Sequence, residues 1–436
     1  MRSHVKAIAA AAAAVSLVLT GCSSSSSPEG SAGGGEGGEV TLEMVESLTN
    51  PARTELLKTM LADFESANPG IKVNLISPPT EQADQKIQQM LQSGSGVDVL
   101  EVRDLTVGPF TNNNWLYDMA SATDSWAGFE NLTAQAQAVA KTADGNSWYI
   151  PYGFYGLSLF YRTDMVADAG FDGPPKTWDD IVEQAAKIQD PSNNKYGYAF
   201  RGGQNSNGQL LSILQAYNID NLDTTNAFKL TSGETIFSSP ESLTAVDKYI
   251  ELFKTGSPES SISWGYPEMV QGFTNGSTAF LLQDPEVIAA VRDSSLTEDQ
   301  WSVAPNVLGP TGKAAWPMAT AGWGVAQASE HHEEAVKLVQ FLSEDASTTF
   351  AKENSVVPIL KEAGEDEFFK SGPWAAYVTM SNDPETWIAV EEPRGVAWWT
   401  EWAQKSQDDL QSVLLGDMTT EDMLTGWDKY WTEKWS

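Results

Sequence analysis

The chain has 436 residues, more than one hydrophobic core usually organises, so its length predicts two lobes or domains. Hydrophobic residues make up 41% and charged residues only 19%, a composition typical of a folded globular protein. The 59 acidic and 26 basic residues give a formal net charge of −33. This charge argues against nucleic-acid binding, which relies on clustered Lys and Arg.

Histidine and cysteine, which often hold metals or take part in catalysis, are scarce in this sequence. Two of the three histidines, His331 and His332, are adjacent, and neighbours on a helix point in different directions. They therefore form no two-ligand face, and Cys22, the single cysteine, has no partner for an internal disulfide. We accordingly expect no metal, no cofactor and no catalytic residues.

The N-terminus predicts export and membrane attachment. Arg2 and Lys6 precede a short apolar run, and residues 1–21 therefore indicate a secretory signal peptide. The sequence Leu19-Thr20-Gly21-Cys22 resembles the bacterial lipobox, in which Cys22 is acylated; the alternative is an ordinary signal peptide with a chance cysteine. Residues 22–39 are rich in Gly and Ser and predict a flexible tether.

The next segment alternates strand and helix patterns. Strands are predicted at 40–47, 71–77 and 97–102, with one helix opening at the Asn50 cap and a second over 81–93. A β-α-β-α-β order implies a mostly parallel sheet covered by helices.

The rest of the chain indicates a second unit of this kind. A helix over 177–188 has Thr177 as its N-cap, and Trp178 beside it is predicted to be a core residue. The last 65 residues are predicted to be mainly helical and hold eight of the sixteen tryptophans. The further predictions are strands at 156–164, 196–200, 278–283, 302–306 and 321–327, and helices at 240–254, 267–274 and 330–343.

Seven segments together resemble the extracytoplasmic solute-binding proteins of bacterial ATP-driven sugar importers, of the larger maltodextrin-binding-like kind. Departures from the family pattern are Arg162, where Asn is usual, and Phe280, where Met is commoner. The segments are Asp63–Val73, Val97–Val99, Ile150–Gly153, Leu159–Met165, Pro174–Asp180, Phe273–Phe280 and Gly322–Val325.

This resemblance implies an α/β, two-lobed periplasmic-binding-protein-like fold of type II, with a ligand cleft between the lobes and a helical C-terminal part. We expect discontinuous lobes, with 40–151 and 285–328 in lobe 1 and 152–284 and 329–436 in lobe 2. The predicted crossings lie near 151–155, 282–285 and 327–331.

Neutral sugars are recognised by aromatic faces and by polar groups that bond hydroxyls in the ring plane. Trp264 lies in a Ser/Gly-rich loop, and Trp323 is flanked by glycines where the resemblance implies a cleft residue. The resemblance also implies Arg394 and one of Trp398, Trp399 and Trp402, of which we take Trp402. The other predicted ligand-binding residues lie at strand ends, crossings or polar loops: Glu46, Asn50, Asp104, Tyr155, Gln204 and Asp284.

Some of these assignments have simpler alternatives. Asn50 could be only a helix cap, and Asp104 only a solvated loop aspartate. The favoured function is a non-enzymatic receptor that captures an oligosaccharide and delivers it to an ABC permease from the outer face of the membrane. We expect it to act as a monomer. The alternative is a secreted glycoside hydrolase, which needs only a suitably spaced carboxylate pair.

Overall fold

The structure is a computed structural model that describes residues 39–435. The predicted signal peptide, the acylated Cys22 and the linker up to residue 38 lie outside this range. Within it, no helix combines the length and the apolar character needed to cross a bilayer. The strands are β1 (Val40–Val45), β2 (Ile71–Ile76), β3 (Val99–Arg103), β4 (Ile150–Gly156), β5 (Ser158–Arg162), β6 (Tyr196–Tyr198), β7 (Thr278–Gln283), β8 (Trp301–Ala304), β9 (Ala314–Val325) and β10 (Trp387–Val390).

Helices surround these strands and fill most of the C-terminal part. They are α1 (Pro51–Ala67), α2 (Thr80–Ser93), α3 (Asp104–Asn112), α4 (Ala120–Ser125), α5 (Ala134–Ala140), α6 (Thr163–Asp168), α7 (Trp178–Ile188), α8 (Asn207–Asn218), α9 (Pro240–Gly256), α10 (Tyr266–Thr274), α11 (Val287–Arg292), α12 (His332–Ser343), α13 (Ser347–Glu353), α14 (Glu367–Lys370), α15 (Ala375–Asn382), α16 (Trp399–Leu415) and α17 (Thr420–Trp435).

Local sequence signals account for the helix starts. The Asn50 side chain accepts a hydrogen bond from the Arg53 amide at 2.9 Å, and Pro51 occupies the first helical position of α1. In α7, Thr177 caps the Asp180 amide at 3.1 Å and Asp180 bonds back to the Thr177 amide. Both predicted caps are confirmed.

The first sheet has the strand order β10-β9-β3-β1-β2, and β4 also pairs with β9. Strand β1 is parallel to β2 and to β3, as the β-α-β-α-β order predicts, whereas β9 is antiparallel to β3 and β4. At Gly322 of β9 a Cβ atom would stand 2.1 Å from the Ile150 carbonyl oxygen, so only glycine fits between these strands.

The second sheet has the order β6-β7-β5-β8. Leu157 alone separates β4 of the first sheet from β5 of the second, so one chain crossing lies there, just beyond the predicted 151–155. Another crossing connects β8 to β9 through residues 305–313. These crossings divide the described chain into a first lobe around the first sheet and a second lobe around the second.

The predicted lobe boundaries differ from the structure in two places. The segment 327–331 is not a crossing, because α12 packs against β9 and β4 of the first sheet. The predicted lobe 1 includes residues 285–328, but strand β8 in this range pairs with β5 of the second sheet, which also holds β7, so 282–285 is not a crossing between the sheets. Helices α16 and α17 do belong with the second lobe, where they pack with α8 and α9.

Tryptophan burial follows this division. Trp178 is buried beside Tyr249 of α9, which confirms the prediction that it is a core residue. Trp402, Trp427 and Trp431 form an aromatic cluster with residues of the second lobe. The C-terminal tryptophans therefore mainly attach the last two helices to that lobe.

Candidate functional site

A cavity of about 280 Å³ lies where the two lobes meet. The first lobe contributes Leu105, Tyr155, Gly156, Pro317 and Ala319 to its lining, and the remaining walls come from the crossing residue Leu157, the second lobe and residues 392–399 at the start of α16. Its polar and aromatic lining residues are Tyr155, Arg201, Asn205, Asn207, Gln209, Gln283, Asp284, Glu392, Arg394 and Trp399. A concave site with a few convergent polar groups is the usual form of a small-ligand site.

Arg394 is held by carboxylates at one side of this cavity. Its Nε and Nη2 atoms each lie 2.7 Å from Glu392 Oε2, and its Nη1 atom lies 3.9 Å from Asp104 Oδ2. Glu392 Oε1 also accepts a 2.7 Å hydrogen bond from Gln215. The guanidinium is thus fixed in place and its charge is compensated before any ligand arrives.

Arg201 and Asp284 form the other charged part of the lining. The Arg201 Nε atom donates to the Gln204 carbonyl oxygen at 2.7 Å, and burial lowers the pKa of Arg201. Asp284 Oδ1 accepts from the Glu286 amide at 3.2 Å. The cavity thus presents both signs of charge, a balance suited to an uncharged polar ligand.

Burial also changes the acidity of the carboxyl groups near the crossing. It raises the pKa of Asp284 to about 6. Burial and the neighbouring Asp284 charge raise the pKa of Glu286 to about 8. Burial likewise raises the pKa of Asp104, although Arg394 opposes the change.

These raised pKa values make stability depend on pH. Glu286 keeps its proton in the folded chain up to about pH 8, whereas in the unfolded chain it ionises near 4.5. The folded state binds more protons in this window, so stability falls as the pH rises from 5 to 8. We expect Glu286→Gln to reduce this fall by about 1–3 kcal/mol in urea unfolding. Glu55→Gln is the control, because Glu55 is exposed, and it should show the same fall in stability as the wild type. An equal fall in wild type and Glu286→Gln would contradict the raised pKa assigned to Glu286.

The structure brings three of the predicted ligand-binding residues to the cavity lining. Tyr155, Asp284 and Arg394 all line it, although they are distant in sequence. Asp104 opens α3 and does not line the cavity, but its Oδ2 atom lies 3.9 Å from Arg394 Nη1 and so helps to balance the charge of that residue. Tyr155, Asp284 and Asp104 were predicted from their positions at strand ends and crossings and Arg394 from the family resemblance, and their role in ligand binding stays a prediction.

Four other predicted residues lie elsewhere. Glu46 is fully buried in an ion pair with Arg53, and Asn50 is an exposed helix cap, which was its simpler alternative. Gln204 is exposed, and its contact with Arg201 uses only the backbone oxygen. Trp264 packs over Gly272 of α10 and is not among the cavity-lining residues.

Two predicted aromatic platforms need correction. Trp323 is 1% exposed and packs against Tyr152 and Arg53 in the core of the first lobe, because β9 is enclosed between β3 and β4. Trp402 is fully buried in the aromatic cluster, and the neighbouring Trp399 lines the cavity instead. Neither Trp323 nor Trp402 offers a face to a ligand in this structure.

Sequence reasoning also missed Arg201 and Glu392. Arg201 follows the strand 196–198 next to the predicted polar loop, so the loop was recognised but the wrong residue chosen. Glu392 lies two residues before Arg394, and the adjacent opposite charges were the available signal.

Two α/β lobes around a polar, charge-balanced cavity define a ligand-binding protein. A family model described as bacterial extracellular solute-binding protein matches residues 49–349, and the chain belongs to this family.

Individual relatives agree with this assignment. A binding protein of Brucella abortus is 24% identical over 394 residues, covering 87% of this chain and 89% of its own. The maltose-bound MalE3 structure from T. maritima has a TM-score of 0.75 and 23% identity, covering 90% and 98% of the two chains. An Agrobacterium vitis solute-binding protein with bound D-mannitol has a TM-score of 0.71 and 19% identity, covering 90% and 98%. The fold is therefore that of the two-lobed solute-binding proteins, as predicted.

Proposed function

We propose that this solute-binding protein captures an uncharged sugar, a short oligosaccharide or a sugar alcohol, in the cavity between its lobes and presents it to an ABC permease. The observation that carries the proposal is that Trp399 and the ion pair of Arg394 and Glu392 line the same cavity. An aromatic face suits the apolar face of a sugar ring, and the fixed carboxylate and guanidinium groups suit its hydroxyls. Maltose and D-mannitol in the structural neighbours support this ligand class.

The size of the cavity favours a short ligand. Its volume of about 280 Å³ lies just below the range of about 300–1,000 Å³ found for small-molecule sites. Members of the family are binding proteins, and we extend this to propose that the bound sugar leaves chemically unchanged. The polar cavity residues would then serve to orient hydroxyls.

A thermal-unfolding screen with maltose, maltotriose, D-glucose and D-mannitol tests the proposal. A ligand at 100 times its dissociation constant adds about 2.7 kcal/mol to apparent stability, so at least one sugar should raise the melting temperature. The affinity should be independent of salt, because a neutral ligand offers no charge to screen. Chromatography of the mixtures should show no new sugar. Failure of all four sugars, or the appearance of a hydrolysis product, would contradict the proposal.

We also propose that acylated Cys22 holds the protein at the outer face of the cytoplasmic membrane, with residues 23–39 as tether. Cys22→Ser should move the protein from the membrane fraction to the soluble fraction without changing its unfolding temperature. Ser23→Ala is the matched control and should stay with the membrane. Retention of Cys22→Ser on membranes after a high-salt wash would contradict the lipid anchor.

A further inference from the structure

A chain of polar groups leads from the cavity into the core of the first lobe. The Tyr155 hydroxyl oxygen lies 3.2 Å from that of Tyr152, and the Tyr152 hydroxyl contacts Glu101 Oε1. Arg53 Nη2 lies 2.7 Å from the same Glu101 oxygen and 3.3 Å from the Tyr152 hydroxyl. Tyr155 lines the cavity, whereas the other three side chains are buried.

The first bonds in this chain have only one possible direction. Glu101 contacts five donor groups, which are Arg53, Tyr152, both the amide and the hydroxyl of Ser47, and the Leu48 amide. The Arg53 charge keeps the pKa of Glu101 below its usual value despite burial. An ionised carboxylate only accepts, so Tyr152 must donate its single hydrogen to Glu101.

The remaining bonds follow from the number of hydrogens. Arg53 has only donors, so its Nη2 group donates to the Tyr152 oxygen. Tyr152 has no second hydrogen, and therefore Tyr155 must be the donor in the contact between the two tyrosines. Burial raises the pKa of both tyrosines, which keeps their hydroxyl hydrogens in place.

We propose that this chain fixes the polarity of Tyr155, so that its hydroxyl presents only an acceptor to the cavity and selects ligands with a donor at the facing position. A sugar hydroxyl supplies such a donor, whereas an ether oxygen, a carbonyl or a fluorine does not. Tyr155 is thus a specificity-determining residue, and Tyr152, Glu101 and Arg53 are positioning residues. That the ligand is a sugar rests on the proposed function.

This role accounts for the burial of Arg53 and its two carboxylate partners, which their contribution to stability does not explain. Burying an arginine with two carboxylates stabilises a fold little compared with apolar residues of the same size. The fixed charge of Glu101 instead orients the hydroxyl hydrogen of Tyr152, and Tyr152 in turn orients that of Tyr155. The Tyr155 hydroxyl hydrogen-bonds to Tyr152, so the orientation of its hydrogen depends on this series of polar groups.

Neutron diffraction from crystals exchanged into D₂O tests the proposal without a ligand. The expected map has the Tyr152 deuterium directed at Glu101 and the Tyr155 deuterium directed at the Tyr152 oxygen. A Tyr155 deuterium that points into the cavity would overturn the proposal. This result does not depend on whether the protein binds sugars, so it separates the polarity of Tyr155 from the proposed function.

A binding experiment measures the consequence for ligand choice. The probes are maltose and D-mannitol, each with its set of singly fluorinated deoxy analogues. At one position the wild type should lose about tenfold or more on fluorination, because a fluorine leaves the Tyr155 acceptor unpaired. Tyr152→Phe frees the Tyr155 hydrogen, so the loss at that position should shrink, whereas the distant control Tyr117→Phe should keep it. Equal losses in wild type and folded Tyr152→Phe would overturn the proposal.

Discussion

Replacing Arg53 with methionine is expected to lower the free energy of unfolding by about 3–5 kcal/mol, the usual cost of breaking a buried ion pair. Arg53 Nη1 lies 2.5 Å from Glu46 Oε2, and Nη2 lies 2.7 Å from Glu101 Oε1. Both carboxylate side chains are fully buried, and the arginine side chain is 1% exposed. Methionine fills similar volume but leaves two buried carboxylates without their cation.

Urea denaturation measures this loss. Lys58→Met is the matched control, because Lys58 lies on the same helix α1 but its pair with Glu55 is exposed, and it should cost less than about 1 kcal/mol. Adding Glu101→Gln to Arg53→Met should recover part of the stability, since one uncompensated charge is removed. A loss below about 1 kcal/mol in Arg53→Met would contradict the assigned ion-pair network.

Trp402→Ala is expected to cost about 3–5 kcal/mol of stability, as emptying a buried aromatic site usually does. Its ring centroid lies 5.0 Å from Trp427, 5.3 Å from Trp431 and 5.4 Å from Phe237. These contacts fasten α16 and α17 to the second lobe, so their loss should also loosen the C-terminal helices. Sugar affinity per folded molecule should be retained, because Trp402 does not line the cavity.

The neighbouring Trp399 provides the comparison for this variant. Trp399 is half-buried at the cavity wall, and its nearest aromatic partner, Phe228, lies 5.9 Å away. Chemical denaturation should therefore show a smaller loss for Trp399→Ala than for Trp402→Ala. The reverse order of stabilities would show that the two tryptophans have been assigned to the wrong environments.

Local sequence patterns were sufficient to predict much of the fold. The alternation of β1, α1, β2, α2 and β3 follows from short-range periodicity and caps, which act within a few residues. Helix α8 was missed because ten of its twelve residues are buried, and the buried set includes the polar Asn207, Gln209, Ser212, Gln215 and Asn218, so residue polarity does not mark a solvent-facing side. A prediction based on alternating apolar and polar faces cannot find a helix that is buried on all sides.

The lobe boundaries could not be predicted as well, because they depend on pairing between distant strands. Strand β9 joins β10, β4 and β3 along its twelve residues, and no local feature of β9 names these partners. The crossing predicted near 327–331 was wrong for this reason: α12, which follows β9 in the chain, packs against the first sheet, to which β9 belongs.

The tryptophans show the same limit at the level of single side chains. Glycines beside Trp323 correctly indicated a close approach of backbones, but that approach is between strands of the core and excludes a ligand. Trp399 and Trp402 are three positions apart in the same helix, and only the packing of α17 decides which of them faces the cavity. The residue types predicted that a tryptophan would lie at the cavity, whereas tertiary packing determined which tryptophan it is.

Calorimetric titration of Trp399→Ala tests most directly whether the cavity between the lobes is the sugar site. The titrant is whichever of maltose, maltotriose, D-glucose and D-mannitol binds the wild type most tightly. Trp126→Ala is the control, since Trp126 is half-buried on the first lobe and bonds to Glu344 outside the cavity. We predict a loss of affinity of about 5- to 150-fold in Trp399→Ala, equivalent to about 1–3 kcal/mol, and none in Trp126→Ala. Wild-type affinity in a folded Trp399→Ala would contradict the account.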